Sequence, residues 1–164
     1  VPEQAIPAVK AGSVWCVPEL KDLLHKHRAF VKMCAVSSYS ADDVDFHVNI
    51  DNVEALSALR PAREQEIFKQ EDATAGHWKV VKVPVWTLDQ VVAAAESPRL
   101  AALCVDVEGG ERDVLQGINL SAWKPRVVVV ESWVTGSLDD YLCPRGYDRK
   151  WTTVDNGCYG RGGA

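Results

Sequence analysis

An almost unbroken apolar run covers residues 100–107, and its single acidic side chain, Asp106, comes near its end. Glycines follow at positions 109 and 110, and a short segment of helical character closes at Gly117. An apolar run of this length bounded by glycines predicts a strand buried on both faces, as in a parallel sheet covered by helices. A second apolar run, over residues 126–132, predicts another buried strand beside it.

Strand-like and helix-like segments alternate along the rest of the chain. Thr87 can cap a helix, and Pro18 can open one, because proline suits the first helical turn. Pro84 favours an edge or strand-end position for its strand, and the polar residues 51–78 predict a surface excursion. The pattern also predicts strands over residues 13–17, 30–36, 44–50 and 80–86, helices over 18–26, 88–95, 111–116 and 137–142, and a closing strand region from 146–147.

This order of elements predicts a single α/β domain over residues 1–164, built on a doubly wound, mostly parallel sheet. Residues 100–107 are expected at the centre of the sheet, flanked by 126–132 on one side. The other flank would hold residues 13–17 or the slot of an absent first strand.

Carboxylates mark the ends of both buried strands. Asp106 and Glu108 share a face if the chain stays extended, and Glu131 ends the next apolar run. The ligand crevice of an open α/β sheet lies at the carboxyl ends of its strands, so these three residues are the candidate catalytic groups. In the structural alternative, Asp106 bonds a neighbouring loop, Glu108 favours the next helix N-terminus and Glu131 is a solvated strand end. Glu111, in the first helical turn, is interpreted as a helix-stabilising residue.

Composition excludes several classes of function. The 164-residue chain is 47% apolar and 25% charged, with a net charge of −5, which argues against general binding of nucleic acid or anionic membranes. No apolar stretch is long enough to span a bilayer. The five cysteines are odd in number and widely spaced, without a zinc pattern, which favours a reducing, cytoplasmic setting and no metal site.

Several motifs together resemble the FkbM-type family of S-adenosylmethionine-dependent methyltransferases. They are VPVWTLDQV at 83–91, LCVDVEGGERDVLQG at 103–117, VVVVES at 127–132, and RGYDRKW and DNGCYG at 145–151 and 155–160. The family pattern has Thr-Leu-Asp, then hydrophobic-Asp-hydrophobic-Glu-Gly-x-Glu with Val-Leu-x-Gly, then a strand ending in Glu. The resemblance is strongest over residues 83–132 and weaker before residue 60.

The resemblance implies a Rossmann-like class I methyltransferase fold that transfers a methyl group from S-adenosylmethionine to an oxygen, less often a nitrogen, of a small molecule or sugar. Asp106, Glu108 and Glu131 would line the substrate side, and Ala35 and Val36 would lie against the adenine. The family's Gly-x-Gly cofactor loop does not precede residues 13–17, so the fold is expected to be N-terminally incomplete, with weak or absent cofactor binding.

Two other functions remain open at this point. The missing glycine loop favours a catalytically inactive, truncated methyltransferase fold that acts as an interaction module. A carboxylate-based metal-dependent enzyme could use Asp106 and Glu108, but no histidine or further carboxylate cluster lies near them in the sequence. The expected partners are a small-molecule or sugar substrate and, through an exposed sheet edge, a second copy of the chain, with no nucleic acid and no membrane.

Overall fold

The computed structural model describes residues 11–12, 32, 34–49, 78–96, 99–107, 109–131 and 137–162. The strand predicted at 13–17, the helix predicted at 18–26, nearly all of the predicted excursion 51–78 and the candidate residue Glu108 lie outside the described residues.

The described elements alternate between strands and short helices. The strands are β1 (Ala11–Gly12), β2 (Ala35–Val36), β3 (Ala41–Asn49), β4 (Trp78–Trp86), β5 (Ala102–Asp106), β6 (Val127–Glu131), β7 (Tyr147–Thr152) and β8 (Asn156–Arg161). The helices are α1 (Leu88–Ala94), α2 (Glu111–Gln116), α3 (Leu120–Trp123) and α4 (Asp139–Leu142), followed by a 3₁₀ turn at Cys143–Arg145.

The larger sheet has the strand order β1-β5-β6-β8-β7. β1, β5 and β6 are parallel, which confirms that residues 100–107 lie inside the sheet beside 126–132. β8 pairs antiparallel with β6, and β7 pairs antiparallel with β8. The expectation of a mostly parallel sheet is therefore wrong for the described strands. The reason is that β7 and β8 form a hairpin, which needs no crossover helix and places its second strand directly against β6.

A smaller sheet of three strands has the order β2-β4-β3. β4 is its middle strand, parallel to β2 and antiparallel to β3, so an edge position for the strand of Pro84 is wrong, whereas Pro84 does lie near the end of its strand, two residues before Trp86. The β3–β4 register shifts between Ala41 and Val44, directly opposite Pro84. Proline has no N–H for the ladder, and a bulge is one of the few places where a strand tolerates it.

The core lies on one face of the larger sheet. Leu103 and Val105 of β5 and Val128 and Val130 of β6 are buried, and they belong to one cluster with apolar residues of the four described helices. The alternate residues of β5, including Cys104, are exposed. The prediction that this strand is buried on both faces is thus wrong, because the described helices pack against a single face, and the doubly wound arrangement is not seen among them.

Helix α1 begins as the sequence predicts. Thr87 is its N-cap, and the Thr87 hydroxyl accepts a bond from the Gln90 amide while the Gln90 side chain accepts one from the Thr87 amide. Asp89 then ties α1 to α3, because its Oδ1 accepts hydrogen bonds from Asn119 N at 2.9 Å and from Trp123 Nε1 at 2.8 Å. In the Thr-Leu-Asp motif, Thr87 therefore caps α1, and Asp89 joins α1 to α3 through hydrogen bonds.

Candidate functional site

The carboxyl ends of β5 and β6 bring two of the three predicted catalytic residues to one edge of the sheet. Cys104 pairs with Val129 and Val105 with Val130, so one further step along the same register sets Asp106 beside Glu131. Neighbouring strands are about 4.8 Å apart, and residues in register on parallel strands project from the same face. Asp106 is exposed and Glu131 is half-buried. The two carboxylates therefore border a single site at this edge.

Two other residues flank this pair. Gly12 of β1 pairs with Asp106, so the neighbouring strand has no side chain at the position beside Asp106. Asn156 of β8 pairs with Glu131 and places an amide on the same face. The resulting row across four strands is Gly12, Asp106, Glu131 and Asn156. Asn156 was missed by the sequence analysis, because only the antiparallel insertion of β8 brings it to Glu131.

A buried network holds β8 in this position. Tyr159 is 1% exposed, and its hydroxyl donates to Asp139 Oδ1 at 3.0 Å and accepts from Leu138 N at 3.3 Å. Burial raises the pKa of Tyr159, so the phenol keeps the proton that it donates. Arg149 forms an ion pair with the other oxygen of Asp139 at 3.0 Å. The start of α4 is thus fastened to the hairpin that carries Asn156.

The loop between β5 and α2 folds around a carboxylate that points inward. Glu111 is 1% exposed, and its Oε1 accepts hydrogen bonds from Val107 N at 3.2 Å and from Gly109 N at 3.0 Å. Gly109 has a φ of 100°, a conformation that glycine adopts without strain. The first residue of α2 therefore acts on the loop before the helix, which the helix-stabilising interpretation did not anticipate. The sequence signal was a Glu directly after Gly109-Gly110.

The predicted adenine contacts lie on the β1 side of the site. Ala35 and Val36 form β2, which is in contact with β1. Both side chains are buried, Ala35 in a small cluster with Phe46 and Val85 and Val36 in the main core. The chain is held there by a bond from Ser37 N to the carbonyl oxygen of Trp86 at 3.1 Å. Neither residue therefore has much exposed surface, and their role as adenine contacts stays a prediction.

Neither a metal centre nor a membrane-spanning helix is seen in the described part of the chain. No group of three or more His, Cys, Asp or Glu residues there is arranged to hold a metal ion. None of the helices described is long and apolar enough to cross a bilayer.

An α/β sheet with acidic residues at the carboxyl ends of adjacent parallel strands is the framework of many enzymes that bind small molecules at that edge. A family model, the methyltransferase FkbM domain, matches residues 14–148. The chain belongs to the FkbM methyltransferase family, as its motifs indicated. Searches of curated proteins and of solved structures found no match.

Proposed function

We propose that this chain is an S-adenosylmethionine-dependent methyltransferase that acts on a hydroxyl oxygen of a small molecule or sugar. The observation that supports the proposal is that Asp106 and Glu131 are the last residues of the adjacent parallel strands β5 and β6, in a chain of the FkbM family. We also propose that the described strands belong to the Rossmann-like α/β fold of class I methyltransferases.

S-adenosylmethionine is the usual cofactor of methyltransferases, and when bound it supplies an activated methyl group. Among the described residues, Gly12 leaves the flank of Asp106 without a side chain, whereas Ala35 and Val36 are buried and have little exposed surface for an adenine. The sequence before residue 13 holds one glycine and no Gly-x-Gly for the methionine end. The protein contributes mainly by positioning the two reactants and excluding water.

The side chains of the site have different proposed roles toward the methyl acceptor. Asp106 is exposed at the edge, so its carboxylate can accept a hydrogen bond from the acceptor hydroxyl and take its proton as the oxygen becomes nucleophilic. Glu131 and Asn156, next in the row, orient further hydroxyl or amine groups of the acceptor. Glu108 follows Asp106 in the sequence and is proposed as a second group on the substrate side.

Cofactor affinity gives a first test. The 164-residue polypeptide is expected to bind S-adenosylmethionine weakly, because the methionine carboxylate and ammonium lack the backbone donors of a glycine loop. Each lost charge-assisted hydrogen bond costs about 1.5–3 kcal/mol, so the loss of two weakens binding by about a hundredfold or more. Isothermal titration calorimetry measures this directly. Binding in the micromolar range would show that other residues supply the missing donors.

Methyl transfer itself is the decisive test. The purified chain is incubated with millimolar radiolabelled S-adenosylmethionine, which compensates for weak binding, and with separate sets of sugars, phenols and amines. The proposal predicts labelled O-methyl product from the hydroxyl-bearing sets. Absence of product from every set, with the folded chain saturated by cofactor, would contradict the proposed activity and favour the interaction module.

A further inference from the structure

The carboxylate of Glu111 stands out among the described residues because it is almost completely buried. At 1% exposure it is one of only two buried polar or charged residues in the described part of the chain, with Ser37. A carboxylate withdrawn from water is costly unless strong hydrogen bonds replace its hydration. Its Oε1 receives two, from Val107 N and Gly109 N, whereas Oε2 is buried with no hydrogen-bond partner among the described residues.

Both of these bonds act on the loop and not on the helix. The N-cap of α2 is Gly110, which has no side-chain cap, and Val114 N bonds the Gly110 carbonyl in the ordinary helical pattern. A carboxylate that capped the helix would accept hydrogen bonds from the free amides of the first helical turn. Glu111 instead accepts from amides two and four residues earlier in the chain.

The bond to Val107 N has a direct consequence for the candidate site. This N–H belongs to the peptide unit that joins Asp106 to Val107, so fixing it fixes the backbone torsion that ends β5. Val107 is itself buried, and its Cγ2 lies 3.4 Å from where a Cβ on Gly110 would stand. The loop is therefore held from the inside by Glu111, with Val107 in ordinary van der Waals range of Gly110.

We propose that Glu111 is a positioning residue, whose buried carboxylate locks the β5–α2 loop and so holds Asp106 in the orientation that the acceptor hydroxyl requires. The proposal rests on the proposed function for its catalytic consequence. The lock itself is a property of the folded chain that can be measured without cofactor or acceptor.

The experiment compares Glu111→Ala, which removes both bonds, with Glu111→Gln, which keeps an oxygen that can accept them. Asp113→Asn, exposed on the same helix, is the matched control. Amide hydrogen exchange by NMR is measured at Val107 and Gly109, with Val114 as an internal reference. Steady-state methyl transfer is measured below the melting temperature of every variant, with kcat and KM determined separately.

In Glu111→Ala, protection of Val107 and Gly109 is expected to fall about tenfold or more while that of Val114 is unchanged. The kcat is expected to fall by about ten- to a hundredfold, with little change in KM for S-adenosylmethionine, because small misplacements of a reacting group have effects of this size. Glu111→Gln and Asp113→Asn are expected to keep both protection and kcat within about threefold of wild type.

Three results would overturn the proposal. If Glu111→Ala leaves both amides protected, no lock exists. If it abolishes protection but keeps kcat, the lock does not position Asp106. If Glu111→Gln keeps protection yet is as slow as Glu111→Ala, the charge of the carboxylate acts in the reaction and positioning is the wrong role. A wild-type chain that transfers no methyl group at all would refute the proposed function, and the exchange measurements would then still decide for or against the lock.

Discussion

Asp106→Asn is expected to lower the rate of methyl transfer by about a hundredfold to ten-thousandfold, which is the range of general acid–base contributions. Asparagine has nearly the same shape as aspartate but cannot take a proton from the acceptor hydroxyl. Since Asp106 is exposed at the end of β5, the substitution should leave the fold unchanged. Turnover is followed with radiolabelled S-adenosylmethionine, and thermal melting by circular dichroism monitors the fold.

The same assay applies to Glu131→Gln and Glu108→Gln, with Asp113→Asn on the exposed surface of α2 as the control. Each of the two site variants is expected to depress turnover while the control does not. Near-normal turnover in all the site variants would show that these carboxylates are structural and that the proposed site is wrong. Loss of activity that follows an earlier melting transition would support the structural interpretation instead.

Gly117→Ala is expected to destabilise the protein by about 1–3 kcal/mol or more, the usual cost of forcing extra volume into a packed site. A Cβ at Gly117 would stand 2.3 Å from the carbonyl oxygen of Ser37 and 3.2 Å from that of Val114. Both are backbone atoms and cannot turn away as a flexible side chain would. The free energy of unfolding is measured by urea denaturation.

Gly110→Ala provides the comparison for this measurement. The nearest atom to a Cβ there is Val107 Cγ2 at 3.4 Å, which is ordinary contact, so its effect on the free energy of unfolding should be much smaller. Equal stability of Gly117→Ala and wild type would mean that the segments of Ser37 and Gly117 separate at little cost. That outcome would contradict the tight contact that joins β2 to the end of α2.

The sequence pattern predicted the parts of the fold that depend on local signals. The apolar runs predicted β5 and β6, and the Thr87 cap predicted α1, because strand burial and helix capping both depend on a few consecutive residues. The pattern did not predict that β8 enters antiparallel beside β6. Strand order depends on which strands pair in the folded chain, and the apolar pattern of a single strand does not specify which strand lies beside it.

The candidate site was predicted in part for the same reason. Asp106 and Glu131 could be found because each ends an apolar run, and carboxyl ends of parallel strands meet at one edge. Asn156 and Glu111 could not be found this way. The position of Asn156 follows from the pairing of β8 with β6, and the inward turn of Glu111 follows from the path of a loop through Gly109. Neither the strand pairing nor the loop path produces a periodic pattern in the sequence.

The pairing of β1 with β5 forms one flank of Asp106, and it joins parts of the chain that are far apart in sequence. Joining Ala11 to Val105 closes a loop of about 90 residues, the largest sequence separation among the described strand pairs, and closing a loop has an entropic cost that grows with its length. We expect such a pairing to form late in folding. An opening of β1 would expose the Gly12 side of Asp106 without breaking the pairing of β6 with β8.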